Sequence, residues 1–510
     1  MKGKFKLSGV IEVLVTLLLA FLIFWVELPP IHPRSPQFWI FLAMVLVIGL
    51  IVHFAAVAWS AFRAGRSVNM DLGSALSAFS SLGRPIKVVV GFIAFVILLL
   101  IVGNVIGAPI FNASRYRDLI TVTESDFTQD VAEIQMSQIP VVDRDTASRL
   151  GRRKLGEMSD MVSQFEIEED YTQINYQGVP YRVTPLTYGD PIKWFYNHSE
   201  GLPAYITVNM VTQETELVRL EEGMKYSRGE LFFRNIYRYL RFRYPTKIFD
   251  EISFEIDEEG TPWWVASTVC YRIGLWSGKD IDGAVLVNAV TGDCVYYDVA
   301  DIPSWVDQVY DSDMIVKQMN DYGKYQSGFF NSIIGQRGVL QTTEGYNYLA
   351  IGDDVWLYTG MTSVLSDESN TGFILSNLRT KETRYYVVPG AEEFSAMESA
   401  QGQVQHLNYV ATFPLLLNIA NRPTYFMSLK DEAGLVKMYA FVDVEQYQIV
   451  GTGSTVDAAR ADYAAKLSGE TGIAQSGESA EITGRIQDIS AAVVDGNSVY
   501  YFMLDGDSAV

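Results

Sequence analysis

The chain reads as an α-helical membrane anchor of three transmembrane helices followed by an α+β domain, built as two duplicated units of antiparallel sheet with one main helix each. Three observations predict this. Apolar stretches cover 7–26, 38–62 and 88–110, each long enough to cross a hydrocarbon core of ~30 Å at ~1.5 Å per helical residue. Beyond Phe111 no stretch is apolar enough to enter a membrane as a helix, and from about residue 167 the chain alternates with period two and is rich in Tyr, Val, Thr and Ile, the signature of half-buried strands. Finally, short motifs of the strand-rich region recur further along in the same order.

The anchor occupies 1–110. Lys2, Lys4 and Lys6 precede the first span, and Arg63, Arg66, Arg84 and Lys87 lie between the second and third. The loop 27–37 has only Arg34 among four prolines, Pro29, Pro30, Pro33 and Pro36. Basic residues of short loops stay in the cytoplasm, so the N-terminus is expected inside and the large C-terminal domain outside, in a multi-pass protein of the cell membrane. The first span is expected to be retained: its core exceeds a signal-peptide h-region, and Glu-Leu-Pro-Pro offers no small-residue cleavage site. Glu12, His53 and Asn104 are the polar side chains within the spans that could contribute to function.

Charge narrows the partners. Residues 1–111 hold eight Lys or Arg and three Asp or Glu, a net of +5; the whole chain is −21, so residues 112–510 carry −26. Such a domain is not expected to bind nucleic acid, which requires Lys and Arg to match phosphates. The expected partners are the lipid bilayer and another membrane or envelope protein; the sequence sets no oligomeric state.

Residues 111–166 read as a membrane-proximal helical stalk, polar and broken at Pro140. Its basic cluster, Arg144, Arg149, Arg152, Arg153 and Lys154, reads either as a solvated helix face or as a contact for lipid headgroups. The first α+β unit spans 167–330 and the second 331–466. Four pairs of segments suggest the duplication: Asp170–Tyr181 with Gly345–Trp356, Thr212–Thr215 with Thr380–Thr383, Pro245-Thr246 with Pro423-Thr424, and Asp257–Gly260 with Asp431–Gly434, at offsets of 175, 168, 178 and 174 residues. The main helices are expected at 228–244 and 391–406. In the first, Phe232, Phe233, Ile236, Tyr237 and Leu240 form the apolar face at helical spacing, with Arg234, Arg238 and Arg241 opposite. A Gly/Ser/Glu-rich linker at 467–480 leads to a β-hairpin at 481–510 that looks like the opening strands of an OB-like barrel.

A family resemblance enters over 226–310. A helix is followed by Phe254-Glu-Ile-Asp-Glu-Glu-Gly-Thr-Pro-Trp-Trp-Val265 and by Val285-Leu-Val-Asn-Ala-Val-Thr-Gly-Asp-Cys-Val-Tyr296. This order resembles PepSY-type modules, with Asn288 where an aspartate usually stands. A fainter copy at Phe441-Val-Asp-Val-Glu-Gln-Tyr-Gln448 keeps the acid and lacks the Thr-Gly turn. The resemblance implies an extracytoplasmic interaction or regulatory module with no catalytic residues to carry over.

Chemistry-bearing motifs are sparse. Cys270 and Cys294 sit in strands expected in one sheet, as a disulfide or as two buried thiols. His32, His53, His198 and His406 lack metal-ligand spacing, and no cofactor motif occurs. The pairs Asp353-Asp354 and Glu392-Glu393 invite comparison with glycosidase carboxylates, but adjacent strand residues face opposite ways. Ser366–Gly372 is rich in oxygen ligands without the order of a calcium loop. Trp263 and Trp264, if in a strand, place one ring on each sheet face, so one is available for contact; with Arg234, Arg238 and Arg241 they form the candidate interaction surface. The expected function is therefore extracytoplasmic binding or scaffolding in the cell envelope, with a transporter or channel accessory subunit as alternative; an extracytoplasmic hydrolase is least favoured and no enzyme activity is expected.

Overall fold

The computed structural model describes residues 2–63, 84–133, 139–364, 369–470, 486–494 and 497–504. Helices α1 (Lys2–Glu27), α2 (Pro36–Arg63) and α3 (Arg84–Gly107) coincide with the three apolar stretches and are long and apolar enough to cross a membrane. Proline sets their limits: Pro29-Pro30 follows α1, and Pro36 opens α2, where its missing N–H costs nothing. Helix α2 lies between α1 and α3. His53 Nδ1 meets Glu12 Oε2 at 2.9 Å, pairing α2 with α1, whereas Asn104 Nδ2 donates to Leu100 O of its own helix. A short helix α4 (Pro109–Arg117) leads into a large sheet-rich domain.

That domain contains four antiparallel meanders, each entered through a helix. Helix α5 (Arg144–Gly156) precedes β1 (Thr172–Tyr176), β2 (Val179–Tyr188), β3 (Leu202–Asn209) and β4 (Thr215–Met224). Helix α6 (Ile236–Arg243) precedes β5 (Phe249–Ile256), β6 (Pro262–Ile273), β7 (Ser277–Asn288) and β8 (Cys294–Asp298). Helix α7 (Ser312–Lys324) precedes β9 (Asn347–Ile351), β10 (Asp354–Ser363), β11 (Ser369–Asn377) and β12 (Thr383–Tyr386). Helix α8 (Glu393–Gln403) precedes β13 (Leu415–Ile419), β14 (Arg422–Lys430), β15 (Val436–Asp443) and β16 (Val450–Gly453), on which α9 (Val456–Glu470) closes. Short strands widen three of the sheets; Val122–Ser125 joins the third in parallel with β12.

One turn recurs between the third and fourth strands. The last residue of β3, β7 and β11 is an asparagine, Asn209, Asn288 or Asn377. Its Oδ1 accepts the backbone N–H groups two and three residues on, all at 2.9–3.0 Å. A threonine three residues on (Thr212, Thr291, Thr380) accepts the N–H two beyond itself. The residue between them has positive φ: Gln213 at 64°, Gly292 at 80° and Lys381 at 62°. In the fourth meander Asp443 Oδ1 accepts from Glu445 and Gln446 in the same way, around a longer loop. Asn and Asp favour such turns because the side chain mimics a backbone acceptor.

Two hydrophobic layers hold the sheets together. The larger runs through all four meanders and includes Trp264, Tyr205, Tyr358, Phe373 and Phe441; the second lies between the other faces of the second and third meanders and includes Val265, Ile281, Ile315 and Leu357.

Several sequence expectations change. Residues 139–156 are no stalk: Ile139, Val141, Val142, Ala147 and Leu155 are buried in the larger core, and α5 packs on β3 and β4. The 228–244 helix is shorter. Phe232–Arg234 forms a separate 3₁₀ turn, Phe232 has φ 55°, and Asn235 caps α6 by accepting from Arg238 N. That break resets the helical phase, so Phe232, Phe233 and Tyr237 are exposed and Arg241 is buried. Of the four repeated segment pairs, the hairpin and Thr-x-Glu-Thr pairs occupy equivalent turns. Asp257–Gly260 joins first to second strand, whereas Asp431–Gly434 joins second to third, and Pro245 precedes β5 while Pro423 lies inside β14. Residues 467–470 continue α9; 471–485 lie outside the described residues, as do Arg66, residues 365–368 of the acidic loop and Asp495-Gly496. The C-terminal strands β17 (Ile486–Val494) and β18 (Asn497–Leu504) pair with each other as an antiparallel hairpin.

The domain grips the apolar helices at two points. At the end of α1, Arg238 lies over the Trp25 ring at 5.1 Å and Phe233 meets that ring edge-on at 4.9 Å. Arg241 Nε donates to Leu28 O at 2.9 Å, and its Nη1 donates to Lys247 O at 2.6 Å. Near the end of α3, the β6–β7 hairpin lays Trp276 and Ser277 on Gly103 and Gly107, where a Cβ would come within 2.2 and 2.1 Å of those side chains. Burial pushes the Arg241 guanidinium down to about 10, the signature of a cation held by carbonyls without a carboxylate. Arg241→Ala is expected to lower stability by roughly 2 kcal/mol through the orphaned carbonyls, and Arg241→Lys to recover only part, since an ammonium lacks the planar fork. Thermal melts of the detergent-solubilised protein test both.

Candidate functional site

A polar cleft of about 460 Å³ opens where the first, second and third meanders meet. Arg144 of α5 and Asp170, paired with each other at 3.4 Å, lie at its rim, and three further elements supply its other charged groups. Strand β2 places Arg182 at its base, opposite Gln173 of β1 in register. Strand β5 contributes Asp250 and Glu251, and the first turn of α7 contributes Asp311 and Asp313. Tyr346 and Tyr348 flank the remaining side, their rings 5.8 Å apart.

Arg182 is 7% exposed. Its Nη1 donates to Tyr171 O at 3.4 Å and its Nη2 to Gln173 Oε1 at 3.3 Å, while Nε is buried without a partner. Among the described residues no carboxylate lies within ion-pair distance of it, and burial lowers its guanidinium below the usual arginine range. Gln173, 2% exposed, likewise has a buried Nε2 with no partner. Across the cleft, Asp311 caps α7 by accepting from Met314 N at 3.1 Å, and Tyr346 Oη donates to Asp313 Oδ1 at 3.5 Å. Burial raises Asp311 and Glu251, and Glu251 is raised further by Asp311, Asp170, Asp250 and Asp313, all of them acids. Asp250 pairs with Lys279 at 2.6 Å.

Beneath the cleft lies a knot of two buried carboxyl groups. Glu255, fully buried, accepts from Asp307 N at 2.8 Å, Gln308 N at 3.1 Å and Ser253 Oγ at 2.8 Å. Asp307, 1% exposed, accepts from Asn175 N at 2.6 Å and Val355 N at 3.2 Å. The second meander thus holds the connector, and the connector holds the first and third. Burial pushes Glu255 up to about 7 and Asp307 well above the carboxylate range.

None of the side chains singled out from sequence lines this cleft except Arg144. Arg144 donates to Glu169 O and Asp170, Arg149 to Ala433 O across to the fourth meander, Arg152 faces Glu169 at 3.7 Å, and Lys154 faces Glu157 at 3.7 Å; Arg153 is exposed. Arg234 donates to His198 O at 2.7 Å, and Arg238 and Arg241 are engaged on α1, so these three are spent within the chain. Trp263 and Trp264 face opposite sides of the sheet. Trp264 is fully buried, with Nε1 on Tyr226 O; Trp263 lies against Trp305 with the rings tilted by 40° at 5.7 Å and donates to Asp257. Trp264 therefore offers no contact surface.

A disulfide is ruled out by register. Cys270 faces Asp280 and Cys294 faces Val287 on the same strand β7. Seven residues of strand separate them by ~23 Å, against at most ~7 Å between bridged Cα atoms. Both cysteines are free thiols.

The acid pairs have structural roles: Asp354 binds Arg379 at 2.7 Å, and Glu393, fully buried, accepts from Gly360 N at 2.8 Å. Among the described residues no group of three or more His, Cys, Asp or Glu side chains is arranged to hold a metal ion. No protein-family model matches the chain, and no curated protein matches it. Sequence reading passes over Arg182, Glu251, Glu255 and Asp307. The available signal was a charge set inside an apolar strand, as in Val-Pro-Tyr-Arg-Val or Phe-Glu-Ile, which only a known register turns into a site.

Proposed function

We propose that this protein is a membrane-anchored extracytoplasmic binding or scaffold protein of the cell envelope, whose cleft takes up a ligand or partner segment. The observation that carries this reading is the double grip on α1 and α3. It holds the cleft at a fixed position relative to helices able to span a bilayer, as an anchored receptor or scaffold requires. The basic residues around α1 and between α2 and α3 favour an outward domain. The recurring helix and meander, with an Asn-x-x-Thr turn in three of the four and Asp443 in the fourth, support four related modules of the kind PepSY-type sequences resemble. No reaction is assigned. The Glu12–His53 pair favours a second reading, an accessory subunit of a transporter or channel, because ionisable pairs inside spans often mark ion or proton paths.

The test is labelling in intact cells with a membrane-impermeant maleimide, in a background carrying Cys270→Ser and Cys294→Ser. Glu432→Cys, at an exposed turn, is expected to label without permeabilisation, and Lys4→Cys only after it. The opposite pattern overturns the extracytoplasmic assignment. For the second reading, Glu12→Gln should abolish a transport activity of the co-purifying partner while leaving its recovery unchanged.

A further inference from the structure

The cleft carries two uncompensated charges of opposite sign. At its base is Arg182, buried and without a carboxylate partner. Its nearest acid by influence, Asp143, is already committed to Lys430. On the other wall, none of Glu251, Asp311 and Asp313 has a lysine or arginine within 4 Å among the described residues, and the charges acting most strongly on Glu251 are the acids Asp311, Asp170, Asp250 and Asp313. A buried guanidinium lacking an anion is costly, and burial together with neighbouring acids raises the cost of ionising Glu251 and Asp311. The chain retains both in one cavity and does not pair them with each other.

Building on the binding reading above, we propose that the cleft binds a short peptide through its free ends, with the carboxylate on Arg182 and the ammonium among Glu251, Asp311 and Asp313. A carboxylate is the planar acceptor that a guanidinium fork holds in bidentate geometry, and Arg182 Nη1 and Nη2, held only by long contacts of 3.4 and 3.3 Å to Tyr171 O and Gln173 Oε1, are the donors that can turn to it. A compact ammonium, with three donors, suits several carboxylates at once. The volume of about 460 Å³ falls in the range of small-molecule sites, and the Tyr346 and Tyr348 rings offer an amphipathic wall for the peptide between its ends.

The test is isothermal titration of the full-length protein in detergent with trialanine, N-acetyl-trialanine and trialanine amide. Trialanine is expected to bind saturably and about ten-fold more tightly than either blocked form, the gain of one charge-assisted contact. In Arg182→Met the advantage over the amide disappears. In Glu251→Gln/Asp313→Asn, at the more exposed wall, the advantage over the acetylated peptide disappears. Equal affinity of the blocked forms, or no saturation of trialanine by about 10 mM, overturns the proposal. Because this measurement is independent of which side of a membrane the domain occupies, its failure leaves the labelling result intact, and the converse holds.

Discussion

Asp307→Ala is expected to destabilise the domain by roughly 3–5 kcal/mol, the largest single-residue effect in the cleft region. Two backbone donors, Asn175 N and Val355 N, lose a buried acceptor in sites that exclude water, and each buried orphan N–H costs about 1–3 kcal/mol. The damage spreads because those amides belong to different meanders. Releasing them frees the connector whose Val309 and Tyr310 N–H groups bond Leu378 O, and whose Val309 O accepts from Ser267 Oγ. Asp307→Asn keeps one acceptor oxygen and is expected to lose about half as much. Urea midpoints and thermal melts on the detergent-solubilised protein give both values. A loss below about 1 kcal/mol for the alanine variant would show that the meanders hold together by apolar packing alone.

Stability is also expected to fall as pH rises from about 4.5 to about 7. Burial raises Glu255 and Glu393 to about 7 in the folded protein, above their unfolded values near 4.5. A raised carboxyl binds its proton more tightly when folded, so its contribution is fully present below the unfolded value, is lost progressively up to the folded one, and is flat beyond. Glu168, also pushed up to about 7 by burial, acts in the same direction despite the opposing Arg228. Each fully buried group contributes roughly 3 kcal/mol across that window. The melting temperature at pH 5 should therefore exceed that at pH 8. Glu255→Gln should shrink the difference by removing one titrating group while preserving the acceptor oxygen for Asp307 N. A pH-independent melt between 5 and 8 would mean that both carboxyl groups relax to solvent when charged. Below pH 4 the direction reverses, because Asp143, lowered by Lys430 and the Thr146 hydrogen bonds against its burial, then loses its ion pair.

The contrast between the spans and the cleft shows which kinds of information a sequence exposes. Apolar length is a local property, so α1–α3 can be read from composition and their ends from proline and charge. Period-two alternation is local as well, and it correctly marks the region after 167 as sheet-rich. The Thr212–Thr215 and Thr380–Thr383 match was legible for the same reason: a turn is closed by its own residues. The Thr291-Gly-Asp stretch belongs to the PepSY-like signature and forms the same turn from Asn288. The likeness was hidden because glycine there replaces Gln213 and Lys381, which reach positive φ by other means.

Long-range register was not legible. Whether Cys270 and Cys294 can meet depends on both facing β7 seven residues apart, and nothing in either local pattern states that separation. The fate of the arginines on α6 depends on a phase reset at Asn235 and on the carbonyls that α1 brings to them. Arg182 and Asp307 gain their meaning only when three separate meanders converge around them.

The amino-acid order alone thus determined the three apolar helices, the acidic sheet-rich domain and its turn chemistry, because each follows from contacts among near neighbours in the chain. Only tertiary structure decided that the supposed stalk is core, that the basic stripe is spent within the chain, and that buried charges meet at a cleft. Those outcomes rest on desolvation and hydrogen bonding between residues up to 262 positions apart, whose energies do not exist until the sheets have packed.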